Sequence, residues 1–130
     1  MNPKKWGPSG WIFIHNIAYG YPINPSKAEQ NAMIDFLTSL QHILPCKTCC
    51  ELYKKDIKIL PSLITNVKNR NLVIKWVNQM HNKVNENLNK PIYTDKEYEN
   101  YYLNNNSNVT TYIIIMLIII FICVIYYVIH

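Results

Sequence analysis

The chain has 130 residues, a formal net charge of +5 and 49% hydrophobic residues, which suits one domain with an appendage rather than two domains. Its lysines are spread along the chain among Asp and Glu, with no basic stripe and interleaved aromatics, so the positive charge does not mark a nucleic-acid surface. Three of the four cysteines are clustered, which excludes the disulfide framework of a small secreted domain and points to redox or metal chemistry.

Pro8-Ser9 opens a predicted first helix, with Trp11, Ile14, His15 and Ala18 at i, i+3, i+4 and i+7 on one face. Gly20-Tyr21-Pro22 and Asn24-Pro25 end it. Ser26 and Glu29 form a capping box that starts a second helix, whose buried stripe is Met33, Phe36, Leu37 and Leu40. Ile43-Leu44-Pro45 breaks this pattern and delivers the chain to Cys46-Lys47-Thr48-Cys49-Cys50. A short third helix is expected from Cys49 to about Ile57, and a loop across Pro61 and the asparagines after it. The fourth helix carries Leu72, Trp76, Met80, Val84 and Leu88 as an i, i+4 ladder, with Val73 and Val77 beside it; Asn89-Lys90-Pro91 stops it. Thr94 and Glu97 make a second capping box and begin a last short helix with Tyr98, Tyr101 and Tyr102. No period-2 alternation or hairpin turn appears, so the expected fold is all-α, a four-helix bundle plus a short fifth helix.

Residues 109–129 form an apolar run broken only by Thr110, Thr111 and Cys123, without charge. At about 20 residues it matches the hydrocarbon core of a bilayer, and neither a secretory signal nor a GPI signal is recognisable. The expected organisation is a catalytic domain at 1–103, a linker at 104–108 and a transmembrane anchor at 109–129. Lys90 and Lys96 precede the anchor and no Lys or Arg follows, which orients the domain toward the cytoplasm. The sequons at Asn105 and Asn108 would then go unused.

Cys46 and Cys49 sit two residues apart behind a proline at a helix start, where the N-terminal amides and Lys47, Lys54 and Lys55 favour a thiolate. Cys-x-x-Cys alone also serves zinc sites. Trp11 and His15 lie one turn apart on the first helix, and His81 and Asn85 one turn apart on the fourth, beside Asn82. Such groups are suited to sandwich a flat heteroaromatic, leaving amides and Lys90 for ribose and phosphate.

The ordered set Trp6-Gly7, Trp11-x-x-x-His15, Tyr21-Pro22, Leu44-Pro45-Cys46-x-x-Cys49 and Trp76-x-x-x-x-His81-Asn82-x-Val84-Asn85-x-x-Leu88-x-Lys90-Pro91 resembles the Erv/ALR family of FAD-linked sulfhydryl oxidases. The resemblance spans about Trp6 to Pro91. It implies a homodimer holding FAD, with Cys46 and Cys49 as the redox-active disulfide. It further implies that Trp11, His15, Tyr21, Cys49, Trp76, His81, Asn82, Val84, Asn85 and Lys90 line the flavin–adenine site. A substrate thiolate would attack Cys46, the inner Cys49 would face the flavin, and electrons would pass to oxygen to give hydrogen peroxide.

Three departures from the family pattern stand out. Pro8 replaces an Arg, so Lys4 or Lys5 would have to supply that phosphate or ribose contact. A second structural cysteine pair, one member of which would lie near Asn78, is missing. So is a shuttle pair on a terminal arm, which implies that electrons come directly from a partner's dithiol, as in single-domain viral members, in a viral cytoplasmic disulfide-forming pathway. Cys50 is expected only to pack, since it points about 100° away from Cys49.

Two alternatives belong to other classes. A zinc module could use Cys46, Cys49, Cys50 and His42, but structural zinc sites draw ligand pairs from two segments, and His15 or His81 stand at no recognisable spacing for the second. A tail-anchored helical adaptor with buried cysteines would be colourless and indifferent to their replacement. A thioredoxin-like redox protein is a weaker alternative still, since no βαβ pattern surrounds the motif.

Overall fold

The computed structural model describes residues 1–103 and 107–129, with side chains at 1–103 and 111–127. It is helical throughout the described elements: α1 (Pro3–Gly20), α2 (Lys27–Ile43), α3 (Lys47–Ile59), α4 (Leu63–Asn66), α5 (Arg70–Asn87), α6 (Asp95–Leu103) and α7 (Ser107–Ile129). The chain forms two compact units, Met1–Tyr98 and a second beginning at Glu99.

In the first unit the local sequence explains most helix ends. Asn2 caps α1, its Oδ1 accepting from the Lys4 N–H at 2.9 Å, with Pro3 in the first turn. The helix therefore starts well before Pro8, which was expected to open it. Pro8 lies inside α1, where its missing N–H leaves the carbonyl of Lys4 without its helical partner; that carbonyl belongs to an exposed residue, so water can take its place. The indole of Trp6 lies over Gly10, where a Cβ would come within 3.2 Å of the ring. The Ser26–Glu29 capping box forms as expected. At the end of α5, Asn89 adopts φ 52°, the Lys90 N–H donates to the Asn85 carbonyl at 2.9 Å and the Asn89 N–H to the Glu86 carbonyl at 3.1 Å. Those two bonds define a Schellman end, with Asn supplying the left-handed residue that glycine usually provides.

The core centres on α5, which packs against α1, α3 and α4, while α2 packs against α3. Val73, Trp76, Val77 and Met80 meet Ile14 and Ala18 of α1, Met33, Leu37 and Leu40 of α2, and Tyr53 of α3. Full burial of each large side chain contributes about 1.5–3 kcal/mol. The expected ladder on α5 is displaced: Val73 and Val77 are buried, Leu72 and Val84 half-buried, and Leu88 is 50% exposed past the helix end. Because three helices cover α5, its buried arc is wider than one ladder and includes the polar Asn78 and Asn85.

Two other expectations change. Phe36 is half-buried at the rim, in edge contact with Phe13 of α1 at 6.2 Å. The segment after Pro61 is not all loop: Leu63–Asn66 forms a single turn of helix, α4. Ser62 starts it, its carbonyl accepting from Thr65 Oγ1 and Asn66 Nδ2, both at 2.8 Å. Polar ties then fix the helices to one another. Tyr21 Oη donates to the Val67 carbonyl at 2.9 Å, Arg70 Nε donates to the Tyr21 carbonyl, and Trp76 Nε1 donates to the Pro61 carbonyl at 2.9 Å. Asn87 Nδ2 donates to the buried Asp56 at 2.9 Å, linking α5 to α3.

In the second unit, every α7 side chain from Thr111 to Tyr127 is exposed. Of the expected linker at 104–108, residues 104–106 lie outside the described residues and 107–108 belong to α7. Among the described residues no helix is long and apolar enough to cross a membrane. The anchor expected over 109–129 is therefore not shown by the structure.

Candidate active site

Pro45 ends the α2 connection and Cys46 takes the extended backbone of an N-cap, so α3 starts immediately behind it. Cys46 Sγ accepts from the Cys49 N–H at 3.3 Å, and the two cysteines are joined by a disulfide with their Cα atoms 5.1 Å apart. The helix start thus directs its unpaired amides and dipole at the sulfur that must carry charge on reduction. Both cysteines are half-buried and reachable from solvent. Cys50 is a free thiol outside this pair; its Sγ donates to the Leu44 carbonyl at 3.3 Å, a contact that holds the loop entering α3.

One turn after Cys49, Tyr53 is buried and donates its hydroxyl to the Leu37 carbonyl at 2.9 Å. Burial raises its pKa, so it remains a phenol. Tyr53 also lines a narrow, closely packed apolar cleft with Trp11, Ile14, Leu37, Leu40, Trp76, Val77 and Met80. The cleft consequently reaches the face of α3 on which Cys49 lies.

Trp11 forms the opposite wall and begins an aromatic cluster between α1 and α5. Its ring stacks on His81 at 3.8 Å with 7° between the planes. His15 Nε2 and His81 Nδ1 are 3.0 Å apart, so one ring donates and the other accepts, which requires both to be neutral or the pair to hold a single extra proton. Burial lowers the pKa of His15 to about 4. His81 falls to about 3, through burial first and then the charges of His15 and Lys90. Two neutral imidazoles are therefore held against an indole at neutral pH.

Tyr98 covers the other side of both histidines, its ring 5.1 Å from each. Its hydroxyl donates to Asn82 Oδ1 at 2.8 Å and accepts from Asn85 Nδ2 at 3.4 Å. Asn82 is engaged through both its amide atoms, because its Oδ1 also accepts from the Tyr93 N–H at 3.0 Å and its Nδ2 donates to the Tyr93 carbonyl at 2.7 Å. These amides hold the 93–98 segment against α5.

The structure therefore brings Trp11, His15, His81, Asn82 and Asn85 into one cluster, and Trp76 into the cleft that shares Trp11. Val84 is half-buried on the same helix and Lys90 is exposed just beyond it. Tyr21 does not join the cluster; it is tied instead to Val67 and Arg70. Tyr98 and Tyr93 were not anticipated from the sequence as site residues. The signal that could have found Tyr98 is the Thr94–Glu97 capping box, which forms as expected with bonds of 2.7 and 3.3 Å and fixes Tyr98 in the first turn of α6.

An all-α domain with a helix-capping disulfide beside an aromatic cleft defines a redox-dithiol class rather than a zinc module, because sulfurs paired with each other are not thiolate ligands. Residues 8–103 match the model of the Erv1 / Alr family, and the chain belongs to that family. It is 34% identical over 97 residues to a protein of Acanthamoeba polyphaga mimivirus named "Probable FAD-linked sulfhydryl oxidase", covering 75% of this chain and 68% of that one. It is 36% identical over 90 residues to the mitochondrial FAD-linked sulfhydryl oxidase of Schizosaccharomyces pombe, covering 67% of this chain and 47% of that one. The chain thus spans about half the length of the fission-yeast relative and about two thirds of the viral one. The crystal structure of the yeast Erv1 core superposes with a TM-score of 0.72 at 28% identity, covering 81% of this chain and 86% of that one.

Proposed function

We propose that this chain is an FAD-dependent thiol oxidase that introduces disulfides into partner proteins. The observation that carries the reading is the Cys46–Cys49 disulfide capping α3, one turn from a cleft walled by Trp11 and Trp76. The residues present fit FAD in their chemistry: the cleft lining is apolar with the indoles of Trp11 and Trp76, and Trp11 also stacks on a neutral imidazole of the neighbouring histidine cluster.

A substrate thiolate attacks Cys46 Sγ, and Cys49 leaves as a thiolate. The substrate's second thiolate then displaces Cys46, so the substrate loses two electrons and the enzyme pair gains them. The α3 amides stabilise the charge left on Cys46, while Cys49 lies on the helix face shared with Tyr53 and the cleft. Trp11, His15, Trp76, His81, Val84 and Asn85 would hold the ring systems of the cofactor. Asn82 would act through Tyr98 and Tyr93, Lys90 would meet phosphate, and Tyr21 would fix the end of α1. The chemistry supplied by bound FAD is acceptance of that electron pair and its delivery to oxygen, giving hydrogen peroxide.

The same reading includes a homodimer, a membrane anchor and a catalytic domain in the cytoplasm. Phe13 is 60% and Ile12 45% exposed beside Phe36, an apolar α1–α2 surface suited to a second copy. For the anchor, the support is the 23-residue α7, about 34 Å long at 1.5 Å per residue, with an uncharged apolar sequence on all sides. Lys90 and Lys96 ahead of it favour the cytoplasmic side, where relatives from large viruses suggest a dedicated disulfide-forming pathway.

The deciding experiment is an absorbance spectrum of the purified chain together with oxygen consumption on dithiothreitol. A flavin band and turnover that vanishes in Cys49→Ser are expected. A folded, colourless protein would overturn the reading. Glycosylation at Asn105 or Asn108 would reverse the proposed topology.

A further inference from the structure

We propose that the solvent face of α3 is the docking surface for the protein substrate, and that it selects dithiols flanked by acidic side chains. The inference rests on the thiol-oxidase reading and specifies its partner.

At 100° per residue, Lys47, Lys54, Lys55, Lys58 and Glu51 fall within an arc of about 100° on α3. All five are exposed. Among the described residues the ion pair formed is Lys83–Glu86 on α5, and none engages these lysines. The other acid of α3, Asp56, does not dilute the face, because it is buried toward α5 and bonded to Asn87. Cys49, Tyr53 and Asp56 occupy the opposite side of the helix. The face therefore carries four ammonium groups against one carboxylate.

Its position makes the charge relevant to the reaction. Cys46 caps the N-terminal end of the helix, next to Lys47 at the head of this face, and Ile43, 67% exposed, with the exposed Pro45 forms an apolar lip beside it. A substrate bound through its sulfur to Cys46 comes within reach of that lip and of Lys47, from which the other lysines continue along the helix. Acidic residues next to the substrate cysteine would meet Lys47 and the turns beyond it, while basic ones would be repelled. Electrostatic complementarity of this kind acts mainly on association rate and partner choice. The same lysines could meet an anionic bilayer, but laying this face on lipid would cover Cys46, so a protein partner is favoured.

The exchange is balanced without any further reactant. The substrate's first thiolate forms a bond to Cys46 Sγ as the Cys46–Cys49 bond breaks, and its second closes the substrate disulfide as Cys46 departs. Two electrons pass to the enzyme pair, and the two thiol protons go to solvent or to the reduced cysteines.

The test uses the full chain with FAD bound and two synthetic dithiol peptides that differ only in flanking residues, all Glu in one and all Lys in the other. Oxygen consumption gives kcat/KM for each, with dithiothreitol turnover as the reference. The acidic peptide should be preferred by about tenfold at low salt, and the preference should fall severalfold in about 0.5 M NaCl. The K54E/K55E/K58E variant should reverse the preference, and K58E alone should weaken it in the same direction. Equal kcat/KM for the two peptides with intact dithiothreitol turnover would overturn the docking proposal alone. So would a preference unchanged in both variants, or lysine variants that lose only binding to phosphatidylserine vesicles. Absence of dithiothreitol turnover would overturn the oxidase reading and the docking proposal with it.

Discussion

Trp11 lies flat on His81, with ring centroids 3.8 Å apart and planes within 7° of parallel, although the two residues come from different helices. Trp11 also lines the apolar cleft, and in the proposed site a planar cofactor would engage these aromatic faces. We expect Trp11→Ala and His81→Ala each to lower retained flavin by about fivefold or more, the loss of one stacking partner being worth roughly 1 kcal/mol or more. Flavin absorbance per mole of purified protein measures this, and circular dichroism checks the helices. Full flavin content in both variants would remove this pair from the cofactor site.

The two buried histidines make stability pH-dependent in a definite direction. Their folded pKa values, about 4 for His15 and about 3 for His81, lie below the roughly 6.5 of an unfolded histidine. Between those values the unfolded chain binds more protons. Their contribution is therefore complete above about pH 6.5 and is lost as the pH falls toward 4 and then 3, by at most about 1.4 kcal/mol per pH unit for each ring. Glu29 and Glu97, both lowered by their capping bonds, add a further loss only near and below the ordinary carboxylate range. Urea midpoints between pH 7 and 5 should thus fall in the wild type and flatten in H15Q/H81Q.

Much of this architecture is legible in the residues. The apolar stripe of α1, both capping boxes and the Cys-x-x-Cys at a helix start follow from local chemistry and spacing. What escapes is whatever depends on how many neighbours an element acquires. The ladder of α5 implies one buried face, but contact with α1, α3 and α4 buries Asn78 and Asn85 as well. Tyr98 reads locally as a tyrosine in a polar helix; only docking of segment 93–98 onto Asn82 makes it part of the histidine cluster. Tyr21 shows another limit, since its place in an ordered motif does not reveal that its hydroxyl donates to the Val67 carbonyl.

Asn78 donates to Asp95 at 2.7 Å and fastens the start of α6 to α5. The Asn78 side chain is buried, and its Oδ1 has no hydrogen-bond partner among the described residues. Removing the acceptor in Asp95→Ala strands a buried amide as well, and should cost about 1–3 kcal/mol. Asn78→Leu deletes both buried polar atoms at similar volume and should cost less, or even stabilise. Chemical denaturation of both variants decides the order; a larger loss in Asn78→Leu would mean that packing, not the hydrogen bond, dominates there.

Asn89 can be tested by its backbone alone. At φ 52° it closes the Schellman end of α5, a conformation that glycine adopts freely and a β-branched residue resists. Asn89→Gly should leave the denaturation midpoint nearly unchanged, and Asn89→Val should lower stability by about 1–2 kcal/mol. Equal midpoints for Gly and Val would show that the left-handed turn is not maintained in solution.

The three clustered cysteines should separate cleanly by role. Cys46 and Cys49 form the disulfide, so Cys46→Ser or Cys49→Ser leaves nothing for a substrate thiolate to exchange with, and dithiothreitol oxidation should fall by at least about a hundredfold. Cys50 instead donates its thiol to the Leu44 carbonyl from outside the pair, and a serine hydroxyl can make the same bond. Cys50→Ser should therefore retain activity within about threefold and stability within about 1 kcal/mol. Oxygen consumption and thiol titration on the three variants read both quantities. A Cys50→Ser enzyme as inactive as Cys49→Ser would place the third thiol on the electron path, since its replacement preserves the hydrogen bond and removes only sulfur chemistry.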